Sequence, residues 1–539
     1  MRKLMLPFCF ALLGFASHGQ TPGFAWVKKA GGSGYDGANA ISVDTSGNSY
    51  VTGSFAGTAS FGGITLTGSG GDDVFITKYD ASGNILWAKQ AGGSNYDGGN
   101  GIAVDGSGNS YVTGYFQGTA SFGNTTLVSS GNEDVFIAKY DASGNLLWVK
   151  QAGGSGYDAA NAVAIDGNGN SYITGYFAGV ANFGSTTLTS SGGNDVFIAK
   201  YSTSGSLLWA KRAGGSNYDE SYGIAVDGNS NCYITGYFGG TTFFGSTTLT
   251  SSGLQDVFIA KYDGSGNLLW AKQAGGTLDE KSVGITVDAS GNSYITGYFV
   301  GTSSFGSTTL TSSGSSDVFI AKYDPTGNVL WAKQAGGASH DVSNSIAVDG
   351  NGNSYITGYF DSTAIFGNTT LISSGSDDVF MAKYTASGNL LWAKQAGGTG
   401  SDRGDGIALD GNGNSYIAGT FYDTASFGSI TIISNATYDV FLTKINSGGI
   451  VTYLTMPIAE HSNIVIAPNP VERLLTIKAS STDMMSVAIM NAKGDKLFSP
   501  VQFVSSTTID MSSYAAGVYL IEVVNEKTGE KIKKKIVKE

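Results

Sequence analysis

Three regularities of the sequence predict an all-β protein, a seven-bladed β-propeller of 61-residue, four-stranded repeats followed by a small β-sandwich. The first is the position of tryptophan, because all seven tryptophans stand 61 residues apart, from Trp26 to Trp392. The second is the content of each repeat, which has four short runs of β-branched and aromatic residues separated by Gly, Asn and Asp. The third is a change after residue 455, where glycine becomes scarce and the repeat spacing ends.

The length of the repeat limits the possible architectures. A fixed period of this size is typical of solenoids, propellers and arrays of domains. Runs such as Val135-Phe136-Ile137-Ala138 are apolar on both faces, as expected of strands between neighbouring blades. A 61-residue unit without disulfides is marginal for independent folding, which disfavours separate domains. Of the two terminal runs able to complete the last blade, 24–30 and 450–455, we favour the first because it keeps the tryptophan.

The chain divides into four segments. Residues 1–19 are interpreted as a signal peptide, because Arg2 and Lys3 precede an apolar run that is too short to span a bilayer. Residues 20–455 form the predicted propeller, 456–462 a linker, and 463–539 a β-sandwich of short strands. No later run is apolar and long enough to cross a membrane, so we expect an exported protein, and we take it to be a monomer.

Charge and cysteine content exclude some functions. The chain has 42 acidic residues against 30 Lys and Arg, and the excess of acid lies in the propeller segment. Such a surface disfavours binding to nucleic acid or to anionic lipid. Removal of the signal peptide leaves Cys232 without a disulfide partner, at a position that holds serine in other repeats, so we interpret it as a substituted serine.

Two sets of acidic residues recur on what we expect to be one face of the propeller. In a four-stranded meander, the blade-to-blade link and the second turn lie on one side, and the first and third turns lie on the other. The link carries a first acidic ring, Asp36, Asp97, Asp158, Asp219, Glu280, Asp341 and Asp402. A long loop that follows the second strand ends in a second acidic ring, Asp73, Asp134, Asp195, Asp256, Asp317, Asp378 and Asp439. The first ring is a candidate ligand-binding rim; the alternative is that each carboxylate caps backbone N–H groups of its own loop.

The opposite face carries Asp-x-x-x-Asn turns, three of which resemble the start of a calcium loop with oxygen ligands at alternate positions. The candidate metal ligands are Asp166, Asn168 and Asn170, Asp349, Asn351 and Asn353, and Asp410, Asn412 and Asn414. These turns lack the Gly at position six and the Glu at position twelve of a calcium loop, and they also fit simple β-hairpins. Ca²⁺ is therefore a candidate cofactor, and no other cofactor is expected.

Enzyme chemistry requires residues that break the sevenfold repetition. The irregular residues are His340, Arg212, Arg403 and the group Asp279-Glu280-Lys281. They belong to different repeats and show no metal-ligand spacing, so we assign no catalytic residue and interpret them as surface variation. Tyrosines in the links, at 35, 96, 157 and 218, are candidates for stacking on sugars or for packing between blades.

Residues 24–455 resemble the bacterial β-propeller repeat family known as SBBP-type repeats. The resemblance rests on blocks such as Ile-Ala-Val-Asp-Gly-Ser-Gly-Asn-Ser-Tyr-Val-Thr-Gly at 102–114. It implies a seven-bladed propeller on an exported protein, without a defined activity.

The C-terminal segment resembles the sorting domain (Por type) of cargo of the type IX secretion system in Bacteroidota. The matching residues are Pro468, Asn469 and Pro470, then Gly494, then Gly517 and Tyr519, followed by a basic end at 531–538. The resemblance implies contact with the type IX machinery, removal of the domain, and release or attachment to surface polysaccharide. We therefore expect a secreted or cell-surface protein.

Three functions remain open at this point. The first is a non-enzymatic surface or secreted module that binds a glycan or a protein. The second is an extracellular hydrolase or lyase acting at the acidic face, with a pocket near His340 or Arg403. The third is a calcium-stabilised scaffold.

Overall fold

The computed structural model describes residues 22–447 and, in the second domain, 464–467, 471, 473–479, 483–491, 496–497, 501–515, 517–529 and 531–538. The chain forms two compact units that divide at residue 450. The predicted signal peptide and linker lie outside the described residues. The described residues form strands, turns and irregular segments, with no helix among them.

The first unit consists of seven four-stranded blades, as predicted, and the N-terminal strand is the fourth strand of the last blade. The N-terminal strand is β1 (Phe24–Gly32). Blade 1 contains β2 (Asp36–Val43), β3 (Ser49–Phe61), β4 (Ile64–Tyr79) and β5 (Ile85–Gly93). Blade 2 contains β6 (Gly98–Val104), β7 (Ser110–Phe116), β8 (Thr119–Phe122), β9 (Thr125–Val128), β10 (Asp134–Tyr140) and β11 (Leu146–Gly154). Blade 3 contains β12 (Ala159–Ile165), β13 (Ser171–Phe183), β14 (Thr186–Tyr201) and β15 (Leu207–Gly215). Blade 4 contains β16 (Asp219–Val226), β17 (Cys232–Phe244), β18 (Thr247–Tyr262) and β19 (Leu268–Gly276).

The remaining blades repeat this order. Blade 5 contains β20 (Glu280–Val287), β21 (Ser293–Phe299), β22 (Thr302–Phe305), β23 (Thr308–Thr311), β24 (Asp317–Tyr323) and β25 (Val329–Gly337). Blade 6 contains β26 (Asp341–Val348), β27 (Ser354–Phe366), β28 (Thr369–Tyr384) and β29 (Leu390–Gly398). Blade 7 contains β30 (Arg403–Leu409), β31 (Ser415–Phe427) and β32 (Ile430–Ile445). In blades 2 and 5 the second and third strands are each interrupted, so these blades have six named strands.

The N-terminal strand closes the ring. Residues 24–30 of β1 pair antiparallel with β32 and so supply the fourth strand of blade 7. The end of the same strand pairs with blade 1, where Gly31 lies opposite Ser60 and Gly32 opposite Ala59. One core cluster joins Val51 and Phe55 of blade 1 to Tyr416 and Leu442 of blade 7. The preference for the N-terminal strand is confirmed.

Each tryptophan lies on the outermost strand of its blade and contacts the next blade. The Trp87 indole N–H donates to the carbonyl of Ala142, at 3.1 Å, and its ring packs edge-on against Tyr50. The equivalent hydrogen bond is made by Trp26, Trp148, Trp209, Trp270 and Trp331. The constant spacing of tryptophan therefore reflects one contact repeated between blades.

The stretch that we predict to be a long loop before the second acidic ring is instead a β-hairpin. In blade 1, β3 and β4 continue past Phe55 and Asp73 and turn at Gly62-Gly63. The outer part of this hairpin pairs with the end of the preceding outermost strand, as β8 pairs with β5. Its glycine, serine and threonine content suggests a loop, but the backbone pairing across the blade junction makes it a strand.

The second unit is a β-sandwich, as predicted. One sheet contains β33 (Ile464–Ala467), β34 (Leu474–Ala479) and β37 (Ser506–Asp510). The other contains β35 (Met485–Met490), β36 (Val501–Phe503), β38 (Gly517–Asn525) and β39 (Lys531–Lys538). Both sheets contribute to one core, with Leu475 and Ile477 from the first and Val487 and Ile521 from the second. The basic end of the chain is β39, which pairs with β38.

Candidate functional site at the mouth of the central channel

The two faces of the propeller differ in what they carry, as the meander predicts. We call the side with the first and third turns, such as 44–48 and 80–84, the turn face. The opposite side carries the blade-to-blade links and the hairpin extensions, and we call it the link face. The innermost strands of all blades run between the two faces and surround a central channel.

On the turn face, the candidate calcium ligands are bonded to their own turns. One oxygen of Asp166 accepts the backbone N–H groups of Asn168 and Asn170, at 3.0 and 2.9 Å. The other accepts the Asn170 side-chain amide and the Tyr172 hydroxyl, and Lys200 Nζ lies 3.4 Å away. The turns at 349–353 and 410–414 have the same bonds to Asp349 and Asp410. This geometry favours the hairpin interpretation, and no group of three or more potential metal ligands occurs among the residues that the structure describes.

The first acidic ring lies inside the blade junctions. Its seven carboxylates are at most 1% exposed. Each accepts the backbone N–H of the glycine four residues earlier, as Asp158 does from Gly154 at 2.7 Å. The same bond is made by Asp36, Asp97, Asp219, Glu280, Asp341 and Asp402. The structure therefore places these candidate ligand-binding residues away from the surface, where they support the links.

The second acidic ring faces the first across each junction. Asp134 accepts the backbone N–H of Ser130, while its other carboxylate oxygen has no hydrogen-bond partner in the described part of the chain. Both Asp134 and Asp158 pack against the Cα of Gly153, where an added Cβ would lie within 3.0 Å of each carboxylate. Burial, with a smaller contribution from Asp134, raises the pKa of Asp158 to about 7. The junctions thus hold carboxyl pairs that favour protonation.

Burial raises the pKa of other carboxyl groups of the two acidic rings as well. Burial raises the pKa to about 7 at Asp36, Glu280, Asp341 and Asp402, and to about 6 at Asp97, Asp195 and Asp378.

The link tyrosines are exposed rather than packed between blades. Tyr96, Tyr157 and Tyr218 are 52–60% exposed, and Tyr35 is 48% exposed. Tyr35 contacts Tyr438 of the neighbouring blade through a tilted ring contact at 5.6 Å. The link face therefore presents a partial ring of aromatic side chains to solvent.

The central channel encloses a cavity of about 580 Å³ lined by the innermost strands. In four blades the lining includes an asparagine at the same repeat position, and its amide donates to a backbone carbonyl of the next blade. These are Asn39, Asn100, Asn161 and Asn344, which donate to residues 99, 160, 221 and 404. The other three blades have Tyr222, Val283 and Asp405 at this position. The channel wall is therefore one place where the sevenfold repetition is broken.

The first asymmetric group lies at the junction of blades 4 and 5. The Tyr222 hydroxyl donates to the Glu220 carboxylate at 2.5 Å, and Asn194 donates to its other oxygen. The ammonium of Lys281 lies 3.6 Å from the centre of the Tyr222 ring and 5.3 Å from that of Tyr237. Burial lowers the pKa of Lys281 to about 8, against the attraction of Glu220.

The second asymmetric group lies at the junction of blades 6 and 7. Arg403 donates through Nε and Nη2 to Asp377 Oδ2, at 3.0 and 2.6 Å, and its guanidinium lies 4.4 Å from the centre of the Tyr359 ring. Asp405 accepts from Asn344 and Thr420, and burial raises its pKa to about 7. Arg403, Asp405 and Tyr359 all line the channel.

The structure separates the irregular residues that the sequence offers. Arg403 lines the channel and Lys281 stacks on Tyr222, which also lines it, whereas Arg212 pairs with Asp195 at 2.6 Å on an outer strand. His340 is exposed, and its Nδ1 lies 3.2 Å from the buried Ser316 hydroxyl without a carboxylate bonded to the imidazole in the described chain. Cys232 is buried, which raises the pKa of its thiol to about 12.

Two of the channel residues, Tyr222 and Asp405, are missed by sequence reasoning. A signal for them exists, because aligning the repeats shows that both replace an asparagine. This position in the aligned repeats can be recognised as part of a site only once the innermost strand is known to line a channel.

Among the sorting residues, Pro468, Asn469, Pro470 and Gly494 lie outside the described residues. Gly517 begins β38, and the Tyr519 hydroxyl donates to the carbonyl of Ala515 at 2.7 Å. These residues support the sandwich and are remote in sequence from the propeller.

Comparison with protein families agrees with the architecture. Seven segments match the family described as "Beta-propeller repeat", at 25–54, 86–115, 147–176, 208–237, 269–298, 330–363 and 391–420. Residues 465–539 match "Secretion system C-terminal sorting domain". The molecule is thus a β-propeller equipped for export. The chain belongs to the SBBP β-propeller repeat family and carries a type IX sorting domain, which directs export to the cell surface or into the medium.

Individual relatives are more distant. The chain is 27% identical over 516 residues to a WD repeat-containing protein, L264, of Acanthamoeba polyphaga mimivirus, covering 79% of this chain and 37% of the relative. It is 26% identical over 366 residues to the regulatory protein FlaEY of Caulobacter vibrioides, covering 62% of this chain and 37% of that protein. The chain thus spans a little over a third of the length of either relative.

Two solved structures show low overall similarity. One is a quinonprotein alcohol dehydrogenase-like protein of Bacteroides thetaiotaomicron, with a TM-score of 0.32 and 11% identity over 67% of this chain and 66% of that chain. The other is PorZ, a surface component of the type IX secretion system of Porphyromonas gingivalis, with a TM-score of 0.17 and 10% identity over 95% of this chain and all of that chain. Among the described residues there is no helix of the length and apolarity that crossing a bilayer requires.

Proposed function

We propose that this protein is an exported, non-enzymatic module that binds glycans on its link face. The observation that carries the proposal is the set of exposed tyrosines on successive links, Tyr35, Tyr96, Tyr157 and Tyr218. A tyrosine ring offers a flat apolar face to a sugar ring, and its hydroxyl remains able to form hydrogen bonds. These side chains are exposed on a rigid ring of blades, so their positions are fixed before a ligand binds.

Repetition favours a polymeric ligand. The four tyrosines occupy the same position in four consecutive repeats, so a polysaccharide chain meets several equivalent weak sites. Binding at one site raises the effective concentration at the next, which gives useful affinity without a deep pocket. This agrees with the sorting domain, which directs export to the cell surface or into the medium, where extracellular polymers are accessible.

The polar groups in and beside the channel favour binding over catalysis. Arg403 and Lys281 are each engaged by an acidic partner and an aromatic ring of the same chain. A nucleophile needs an adjacent base and access to substrate. The Ser316–His340 contact places a base beside a hydroxyl, but the hydroxyl is buried and the imidazole is not oriented by an acid among the described residues.

The test is a glycan array probed with the full-length mature protein, followed by titration with the best polysaccharide. Replacing Tyr35, Tyr96, Tyr157 and Tyr218 together by alanine is expected to abolish binding. The matched control replaces Leu86, Leu147, Leu208 and Leu269, which are also about half exposed and repeat around the rim, and binding is expected to persist. An array without hits, or binding that survives loss of the tyrosines, contradicts the proposal, as does release of shortened glycan products.

A further inference from the structure

Two cations of the chain occupy equivalent places in the repeat. Lys281 and Arg403 are both the first or second residue of an innermost strand and stand two repeats apart. Each lies over the tyrosine that the preceding blade contributes, Tyr237 for Lys281 and Tyr359 for Arg403. The junction between neighbouring blades on the link face is therefore a place where a cation is held against an aromatic ring.

The arginine site shows what such a junction recognises. Tyr359 provides the ring, and Asp377, on the third strand of the same blade, accepts two N–H groups from the guanidinium. A planar guanidinium suits this combination, because it stacks on a ring while its N–H fork meets a carboxylate. At the lysine site, the position of Asp377 is held by Gln255, and the charge comes from Glu220 instead.

The junction of blades 2 and 3 has the ring and the carboxylate but no cation. Tyr115 corresponds to Tyr359, Glu133 to Asp377, and Ala159 to Arg403. No hydrogen bond or ion pair reaches the Glu133 carboxylate from the residues that the structure describes. Glu133 is partly exposed and Ala159 is buried, and the short alanine side chain supplies no counterpart of the Arg403 guanidinium that bonds Asp377. We call Tyr115, Glu133 and Ala159 the arginine cradle.

The charges around the cradle are all negative. Burial and then Glu133 and Asp72 raise the pKa of Tyr115 to about 12. Burial and then Glu133 also raise the pKa of Tyr176, which pairs with Ala159 in the sheet. Glu133 therefore lies near both hydroxyls, and burial raises its own pKa. An incoming cation would relieve this concentration of negative charge.

The other junctions without an internal cation lack the tyrosine, the acid or both. Between blades 1 and 2, Ser54 replaces the tyrosine, and between blades 5 and 6, Ser316 replaces the acid. Between blades 3 and 4, the acid position holds Asn194, and Glu220 stands where a cation would enter. The complete ring-and-carboxylate combination without an internal cation is confined to the cradle.

We propose that the arginine cradle binds the arginine side chain of a partner polypeptide, with the guanidinium stacked on Tyr115 and its N–H groups donating to Glu133. Arginine is favoured over lysine by comparison with the two junctions that hold a cation. Where the position equivalent to Glu133 is an acid, Asp377, the cation is Arg403; where it is Gln255, the cation is Lys281. The cradle adjoins one link tyrosine, because Glu133 forms a β-bridge with Tyr157, but the proposal does not depend on glycan binding.

The test titrates the full-length protein with a blocked tripeptide, acetyl-Gly-Arg-Gly-amide, observed by NMR, with the lysine peptide and a glucosamine oligomer in parallel. The arginine peptide is expected to bind saturably and more tightly than the lysine peptide. Glu133→Gln keeps the side-chain shape and is expected to weaken binding about tenfold or more, because a charge-assisted bidentate bond is lost. Ala159→Arg is expected to abolish binding by filling the cradle from within.

Asp279→Asn is the matched control, because it removes a carboxylate of the same face two blades away, and peptide affinity is expected to be unchanged. A folding defect in Ala159→Arg would leave Glu133→Gln as the deciding variant. Equal affinity of the arginine peptide for the parent and for Glu133→Gln overturns the proposal. Saturable binding of the glucosamine oligomer that depends on Glu133, without binding of the arginine peptide, overturns it as well and assigns the cradle to an amino sugar.

Discussion

The turn face and the link face of the propeller are built from the same repeats but differ in uniformity. On the turn face, Asp44 caps its own turn, bonds Asn48 and receives the Tyr50 hydroxyl, and the same bonds recur around the ring. On the link face, the residues that surround the channel change from Asn161 to Tyr222 to Asp405. The difference teaches that repeated side chains hold the blades together, while departures from the repeat make the channel wall asymmetric.

The largest expected effect concerns the carboxyl pairs at the blade junctions, which recur around the ring. Their pKa values are raised in the folded state, to about 7 at Asp158, so the folded protein binds protons more tightly than the unfolded chain. Their stabilisation is complete below the ordinary carboxyl pKa and is lost as the pH rises through about 6 to 7. Because seven junctions contribute, the free energy of unfolding is expected to fall from pH 5 to pH 8 by more than any single substitution below.

Denaturant titrations across this pH range measure the effect. The variant Asp158→Asn provides the control, because an amide cannot titrate and the slope is expected to decrease by the share of one junction. A stability that rises with pH would contradict the assignment of these carboxyls.

The next largest effect is expected at Trp87, whose contact is repeated between blades, and it is compared with the exposed neighbour Leu86. Trp87→Ala removes a side chain that is 9% exposed, its hydrogen bond to Ala142 and its contact with Tyr50, so we expect a loss of about 3–5 kcal/mol in the free energy of unfolding. Leu86→Ala, at a half-exposed position next to it, is expected to stay within about 0.5 kcal/mol. Similar losses for the two variants in urea would show that the tryptophans do not join the blades.

A smaller effect tests the close packing of the link. Gly92 has φ +150°, and an added Cβ would lie 1.9 Å from Asp73 Oδ1 and 2.9 Å from Asp97 Oδ2. Gly92→Ala is therefore expected to cost about 1–3 kcal/mol. Gly106→Ala, in a turn where an added Cβ meets nothing within 4 Å, is the control and is expected to be nearly neutral. Equal melting midpoints for the two variants would contradict the geometry of the junction.

The smallest expected effect tests the calcium hypothesis on the turn face. Since both oxygens of Asp166 are bonded within the protein and Lys200 lies beside them, a chelator is expected to leave the melting midpoint unchanged. A midpoint that drops on chelation and recovers with added Ca²⁺ would restore the interpretation of these turns as metal sites.

Sequence reasoning reaches the repeated features best. The spacing from Trp26 to Trp392 predicts seven blades and the closing strand because one contact recurs at every junction. The hairpin extensions are missed, since their pairing partner is the preceding blade and their composition resembles a loop. In the second unit, the basic end is recognised as part of the sorting motif but not as a strand, because its alternating core residues, such as Ile536, are hidden among lysines.

The candidate site is harder to predict for a geometric reason. Lys281 and Arg403 stand in different repeats, and that separation suggests unrelated surface variation. In a ring, however, the innermost strands of distant repeats converge on one channel, so separation along the chain does not imply separation in space. Residues such as Asp405 become interpretable only when the repeats are compared column by column.

Closure of the ring by β1 has a consequence for the order of assembly. The first strand to be synthesised finds its partner, β32, only after some four hundred further residues exist. Until then the nascent propeller is an open arc with an unpaired margin at each end. The pairing of β1 with β32 therefore forms only in a chain that has all seven blades, because a chain interrupted before the last blade lacks the strand with which β1 pairs.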